Sequence, residues 1–219
     1  MSLKEFLRDY GVLLTSCTSL IASFIALFKE SINSFFMKPK LCFRENDSEK
    51  FISETEDSSD DIADKAISYV YKLQLANEGK GFCNNISVYL DKIEYKSSTD
   101  VNFSNIDLPV MESFLFSNNN QSVSLAPFSR PISFSLISIK NSASHSETKG
   151  SEENLMIFKV GNFLIPKNKF GGQYKIVLTC YSDNCRPKKI KVTLDWNGRW
   201  CESVSDFLKH NVNIQMEAE

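Results

Sequence analysis

The chain has little of what catalytic sites are built from. Its 219 residues include only two histidines, His145 and His210, and their spacing from the cysteines gives no sign of a nucleophile pair. The patterns G-x-S-x-G and H-E-x-x-H are both absent. The pair Gly171–Gly172 precedes a predicted strand rather than a helix, which excludes a phosphate-binding loop. The sequence therefore predicts neither an enzyme nor a cofactor.

Metal binding and general nucleic-acid binding also lack support. Cys180 and Cys185 have no second ligand pair, and Cys201 alone does not supply one. Residues 45–64 are strongly acidic but lack the central glycine of a calcium loop, so they predict a solvated loop. The net charge of −2 and the pI of 5.8 exclude a global basic field for nucleic acid. No metal site is predicted.

What stands out instead is one uncharged run, YGVLLTSCTSLIASFIALF at residues 10–28. As a helix it has about the length needed to cross a ~30 Å hydrocarbon core. A signal peptide would have a shorter apolar core, a basic start and a small-residue cleavage site. A buried core helix is the other alternative, but a small β domain rarely buries a helix that is apolar on every side. The sequence predicts a single transmembrane helix with an interfacial extension over residues 1–38.

Small and hydroxyl side chains recur along this run at intervals that place them on one helical face. The candidate association or pore face is Gly11, Thr15, Ser19, Ala22, Ser23 and Ala26. Such a face lets helices approach closely in lipid, so we predict a homo-oligomer. The alternative is that the hydroxyls bond to carbonyls of their own helix. Lysine and arginine are more frequent after the run than before it, which favours a cytoplasmic domain on the inner membrane.

The remainder predicts one β domain after an acidic linker. The linker covers residues 39–65 with a short strand at 41–43, and the domain covers residues 66–219. Apolar and polar residues alternate in strand-length runs separated by turn residues, which predicts a mainly β sandwich of about seven or eight strands. The predicted strands are 67–75, 86–95 with a bulge at Lys92, 132–139, 155–160, 173–180, 190–196 and 212–216.

Turns, a short helix and loops separate these strands. Asn197–Gly198 is typical of a two-residue hairpin turn. A short helix is predicted over residues 204–209 with Ser203 as its cap. Residues 102–122 and 141–153 are predicted loops, where a sandwich tends to place binding function.

The cysteines leave the redox state open. Cys17 lies in the predicted membrane run, so the other five cannot all pair within the chain. Cys180 and Cys185 are close enough in sequence to form a disulfide across a turn in an oxidising compartment. In the cytoplasm, which we favour, they would be small apolar side chains.

Positive charge is concentrated between residues 167 and 199 of this otherwise acidic chain, with four aromatic residues interleaved. The cations are Lys167, Lys169, Lys175, Arg186, Lys188, Lys189, Lys191 and Arg199. Charge and stacking together would suit an anionic ligand such as a nucleotide or a short oligonucleotide. Contact with anionic lipid head groups is a second interpretation. The third is a solvated strand face with the tryptophans in the core.

Two stretches resemble a known fold family. The run YVYKLQLANEGKGFCNNISVYL, residues 69–90, resembles the strand–Asn-x-Gly–strand signature of cell-adhesion-related domains, an immunoglobulin-like sandwich family. The stretch from Gly172 to Trp196 resembles the closing hairpin of similar small sandwiches. The resemblance implies an immunoglobulin-like scaffold with a long insertion between its second and third strands, and it implies no particular function.

The overall layout is similar to that of membrane effectors in bacterial antiviral operons, which pair such an effector with a nucleotidyltransferase. This resemblance implies a protein partner encoded nearby and a nucleotide signal that controls association, after which the helices perturb or gate the membrane. We therefore expect a non-enzymatic membrane effector. The alternatives are a membrane-tethered docking module without pore activity and an exported adhesion domain.

Overall fold

A computed structural model describes residues 3–45, 51–56, 66–108, 113–142, 155–201 and 203–218. The chain divides into two compact units, Met1–Lys38 and Pro39–Glu219. Most of the acidic segment at 45–64 and most of the loop at 141–153 lie outside the described residues. What those stretches do stays a prediction.

The first unit contains helix α1, Leu3–Phe36, which is about 51 Å long at 1.5 Å per residue. Hydroxyl side chains recur along it, and some bond within the helix: Thr15 Oγ1 donates to Gly11 O at 2.6 Å, and Thr18 Oγ1 to Thr15 O at 3.0 Å. Across the part of the chain that the structure describes, no helix combines the length and apolar character needed to cross a membrane. The predicted transmembrane helix is therefore not supported.

The second unit is mainly β. Its strands are β1 (Leu41–Glu45), β2 (Phe51–Glu56), β3 (Ala66–Asn77), β4 (Cys83–Lys96), β5 (Ser104–Ile106), β6 (Val123–Leu125), β7 (Ile132–Ser142), β8 (Leu155–Val160), β9 (Phe163–Leu164), β10 (Gly172–Tyr181), β11 (Lys188–Trp196) and β12 (Val212–Ala218). A 3-10 turn, Lys167–Lys169, precedes β10. Helix α2, Val204–Asp206, and a π-helical turn, Phe207–Asn211, precede β12.

These strands form two antiparallel sheets. Sheet I has the order β1–β3–β7–β8–β9, and β2 pairs with the stretch of β3 beyond β1. Sheet II has the order β12–β11–β10–β4–β5, and β6 pairs with the start of β4. Between β5 and β6 the chain crosses from sheet II, where Ser113 bridges Tyr89, to sheet I, where Phe116 bridges Phe134. The predicted loop at 102–122 therefore closes one side of a sandwich.

The core lies between the sheets and is rich in aromatic residues. Phe158 of β8 packs edge-on against Tyr174 of β10 and Trp196 of β11, with ring centroids 5.1 and 5.2 Å apart. Tyr69 of β3 stacks on Trp200 at 4.4 Å. Such pairs add stabilisation beyond the burial of their area. Because Trp196 is fully buried, it is not a surface for stacking bases.

Most predicted strands are confirmed. The bulge predicted at Lys92 is also present, since the pairing of β4 with β10 shifts between Leu90 and Lys92. Ser203 caps α2 as predicted, accepting a hydrogen bond from Asp206 N. Strands β2, β5, β6 and β9 were not predicted, so the described residues form more strands than the seven or eight expected. The charged sequence of β2, FISETE, is typical of a solvated loop, and the other three strands are only two or three residues long.

Two predicted local features are wrong. Asn197–Gly198 is not a two-residue hairpin turn, since α2 and the π-helical turn intervene before Trp196 pairs with Val212. The bridge between Cys180 and Cys185, one of the two alternatives, is also absent: Cys185 is bonded to Cys83, 102 residues away. Cys180 is free and buried, as the alternative of a small apolar side chain predicted. Burial raises the pKa of the Cys180 thiol to about 12.

A buried asparagine closes the end of the sandwich at which β3 runs into β4. Asn77 Nδ2 donates to Gly81 O at 2.7 Å and to Leu125 O at 3.1 Å. Its Oδ1 accepts from Gly79 N at 3.0 Å and from Lys40 N at 3.1 Å. All four hydrogen-bonding positions of the amide are therefore used, as a buried polar group requires. We call this the asparagine end.

Candidate binding site at the glycine end

The opposite end of the sandwich is closed by backbone rather than by a side chain. Here the chain leaving β4 at Lys96 meets the start of β10 and the end of β11. Gly172 has φ +131°, and a Cβ there would lie 2.5 Å from Lys96 O. A Cβ on Gly198 would lie 3.1 Å from the Cα of Gly171. Only glycine allows these approaches, so we call this the glycine end.

A pocket of about 590 Å³ lies between the three segments. Ligand pockets commonly fall in a range of about 300–1,000 Å³. Its polar lining side chains are Lys96, Ser97, Ser98, Asp100, Gln173, Asp195 and Asn197. Hydroxyls, amides, carboxylates and one cation supply both donors and acceptors to a ligand. Within the lining, Gln173 Nε2 donates to Asp195 Oδ2 at 3.2 Å.

Two neutral tyrosines support the backbone of this pocket. Tyr95 Oη donates to Gly171 O at 2.9 Å, and Tyr174 Oη donates to Lys169 O. Burial raises the pKa of Tyr95, and the carboxylate of Asp100 raises it further. Burial, with a smaller contribution from Tyr95, also raises the pKa of Tyr174. Both hydroxyls therefore keep their protons and act as donors at neutral pH.

Lysines beside the pocket lie over aromatic rings. The Nζ of Lys175 is 3.8 Å from the ring centroid of Phe103, and that of Lys96 is 5.8 Å from the same centroid. Lys169 Nζ is 4.8 Å from the centroid of Tyr95. Each pair has cation–π geometry, which fixes the position of the ammonium group. Of these three lysines, Lys96 itself lines the pocket.

The structure divides the predicted basic cluster among three places. Lys167, Lys169 and Arg199 lie on the segments that build the glycine end. Arg186 and Lys188 lie in and after the turn between β10 and β11, at the asparagine end.

The other three cations, Lys175, Lys189 and Lys191, lie on the outer face of sheet II. Two of these face carboxylates: Lys191 Nζ is 2.8 Å from Glu217, and Lys189 Nζ is 3.9 Å from Asp91. Among the predicted cations, those at the glycine end and Lys175 are near the pocket. Anion binding there stays a prediction.

The predicted association face lies on α1. Gly11 is partly exposed, and Thr15, Ser19, Ala22, Ser23 and Ala26 are all exposed. The large apolar side chains that the structure describes from residue 20 to residue 28 are exposed as well, with Leu20 at 71% and Leu27 at 80%.

A smaller pocket of about 330 Å³ opens on sheet I, where β7 changes its neighbour from the 116 segment to β8. Its rim includes Lys72, Ser133, Ser135 and Asn162. It contains one cation and no carboxylate. The three phenylalanines beneath the rim are almost fully buried, so they offer a ligand little apolar surface.

The described residues contain no group of three or more histidine, cysteine, aspartate or glutamate side chains that could hold a metal ion. Comparison of the chain with protein family models, with curated proteins and with solved structures finds no match.

Sequence reasoning missed most of the pocket lining. Ser97, Asp100 and Gln173 follow or begin strands and carry no motif. The available signal was the pairing of Gly171–Gly172 with Asn197–Gly198, since glycines at two strand ends permit close backbone contact.

Proposed function

We propose that the chain is a non-enzymatic sensor: the sandwich binds a small polar ligand with an anionic group at the glycine end, and α1 joins copies of the chain. The polar pocket of about 590 Å³, with Lys96 in its lining, is the observation that carries the proposal. The mixed lining suits a ligand with hydroxyl and amide-like groups, and the lysine suits its charge. A nucleotide has both features.

Self-association is supported by the exposed surface of α1. Leu20, Ile21, Phe24 and Leu27 are each more than half exposed. Exposed apolar surface of this kind is covered in working proteins by a partner, another copy or lipid. The small side chains at four-residue spacing favour another copy, because they permit close helix contact. Action on membranes, an inner-membrane location, a protein partner encoded nearby, the immunoglobulin-like type and a role in antiviral defence stay predictions from the sequence.

The ligand proposal is tested by calorimetric titration of the full chain with adenosine monophosphate and with adenosine. We expect the nucleotide to bind more tightly. Replacing Lys96 by Gln should weaken nucleotide binding about tenfold and leave adenosine binding unchanged, because it removes one charge-assisted bond. Lys188→Gln is the matched control, since it removes a lysine from a strand end of the same sheet at the asparagine end. Equal effects of the two variants would contradict the pocket assignment.

The association proposal is tested by the native mass of the full chain in detergent. We expect an oligomer that Ser19→Leu disrupts, because leucine adds bulk to the small-residue face. Cys17→Leu adds bulk about 200° around the helix and should leave the mass unchanged. A monomeric wild-type chain would contradict self-association and favour a docking module in which α1 is only a tether.

A further inference from the structure

The asparagine end carries two strongly exposed phenylalanines. Phe82 is 60% exposed in the turn between β3 and β4, and Phe128 is 71% exposed in the loop before β7. Asn77 holds both loops, since its Nδ2 donates to Gly81 O at 2.7 Å and its own carbonyl accepts from Phe128 N at 3.0 Å. The two rings therefore project from one fixed frame.

The backbone of Phe128 is in an unusual conformation. Its φ is +53°, in the left-handed region that non-glycine residues enter rarely and that large side chains disfavour. Residues held in this way tend to occur at functional sites, where the surrounding structure keeps the strained geometry. Here the fixed geometry holds an apolar ring out in solvent, which contributes nothing to the core.

The surface around these rings is positive. Lys80, Arg130 and Arg186 are exposed and form no ion pair with any residue that the structure describes. Of the two acids that the structure describes at this end, Glu78 forms salt bridges of 3.1 and 2.6 Å with two other basic side chains, whereas Asp183 has no cationic partner among the described residues and is outnumbered by the three cations. Asp183 accepts a hydrogen bond from a neighbouring asparagine.

We propose that the asparagine end docks on an anionic phospholipid surface, with Phe82 and Phe128 inserted among the lipids and the cations on the head groups. Exposed apolar rings beside lysine and arginine are the combination that binds the interface of anionic membranes. Two rings on separate loop tips enter a soft lipid surface without needing a complementary pocket. A second copy in the same orientation would bring like charges together, which disfavours it as the occupant.

This inference does not depend on the ligand pocket, which lies at the other end of the sandwich. It also does not require α1 to cross a membrane. The chain enters the second unit at this end, because the amide of Lys40 bonds to Asn77 Oδ1. Docking would therefore place the start of the second unit close to the lipid.

The test uses the full chain with tryptophan as a local probe. Phe128→Trp reports at the asparagine end, and Val101→Trp is the matched control, since Val101 is 85% exposed in the loop after β4 at the other end. Both proteins are mixed with phosphatidylcholine vesicles that contain either phosphatidylserine or brominated lipid with phosphatidylserine. We expect a blue shift and quenching by bromine for Phe128→Trp beyond the signal of the wild-type chain, which contains Trp196 and Trp200, and no such excess for Val101→Trp. Equal responses of the two probes, or none, would overturn the proposal, including the case in which α1 alone binds lipid.

Charge variants complete the test. Lys80→Gln and Arg130→Gln should each weaken binding to the phosphatidylserine vesicles about fivefold, which corresponds to about 1 kcal/mol per cation. Lys167→Gln, at the glycine end, should leave binding unchanged. Vesicles of phosphatidylcholine alone that bind equally well would overturn the anionic specificity. A Phe128→Trp shift that depends on protein concentration without vesicles would assign this end to a second copy, and an equal shift with polyglutamate would assign it to an acidic protein.

Discussion

The two ends of the sandwich are closed by opposite means. At the asparagine end one buried side chain saturates four backbone groups from separate segments. At the glycine end the absence of side chains lets three segments touch, and a pocket of about 590 Å³ stays open beside them. A side chain that fills an end fixes the loops above it, whereas glycines that close an end leave polar groups available to a ligand. The asparagine end is therefore built to present its loops rigidly, and the glycine end is where we propose that a ligand binds.

The largest expected effect is the loss of stability when Asn77 is replaced at the asparagine end. Asn77→Ala leaves four backbone groups without their partners, three of them on buried residues, so we expect the free energy of unfolding to fall by about 4 kcal/mol. Chemical denaturation measured by circular dichroism would show it. Asn184→Ala is the control, because its exposed amide also bonds to two backbone groups but water can replace it. We expect the control to lose about 1 kcal/mol in the free energy of unfolding. Equal losses in the two variants would show that the burial of Asn77 adds nothing to its contribution.

The next largest expected effect is the loss of stability when Gly172 is replaced at the glycine end. Gly172→Ala puts a Cβ 2.5 Å from Lys96 O at a φ of +131°, so the two strands must separate. We expect a loss of about 3 kcal/mol in the free energy of unfolding. Gly11→Ala is the control, because nothing lies within 4 Å of the added methyl group on α1. A loss below about 1 kcal/mol for Gly172→Ala would show that the contact is not fixed.

The two ends also differ in how far the sequence predicts them. Alternation of apolar residues predicted the strands that meet at both ends, because burial of one strand face is a local pattern. The Asn77–Glu78–Gly79 turn was visible because Asn and Gly favour turns. The hydrogen-bond partners of Asn77 could not be predicted from the sequence, because Leu125 lies 48 residues away and a contact at that distance depends on the fold. The same holds for the pocket, whose walls come from segments about 100 residues apart, and for the disulfide from Cys83.

A smaller loss of stability is expected when the hydroxyl of Tyr95 is removed at the glycine end. Tyr95→Phe removes the 2.9 Å hydrogen bond to Gly171 O but keeps the ring, so we expect a loss of about 1 kcal/mol in the free energy of unfolding. If the pocket depends on that carbonyl position, nucleotide binding should weaken in the same variant. Tyr89→Phe is the control on the same strand, where the ring packs edge-on against Tyr181. Similar losses for both variants would show that the Tyr95 hydroxyl has no specific role.

The smallest effect concerns the pH dependence of the asparagine end. A hydrogen bond from Arg44 is the main cause that lowers the pKa of Glu78 to about 2, and Lys40 contributes to the shift. Because the folded pKa lies below the ordinary value of 4.5, the stabilisation is complete above pH 4.5. It is lost as the pH falls towards 2, where the folded state takes up the proton.

NMR titration of the Glu78 carboxyl carbon would measure this pKa directly. Arg44→Gln removes the 2.6 Å salt bridge and should raise the pKa of Glu78 towards its ordinary value. Arg130→Gln removes a cation from the same end that forms no salt bridge with Glu78, so it should leave the midpoint in place. A midpoint near the ordinary glutamate value in the wild-type chain would show that the salt bridges are open in solution. In that case the salt bridges of Glu78 would not stabilise the asparagine end, and its stability would not fall as the pH drops from 4.5 towards 2.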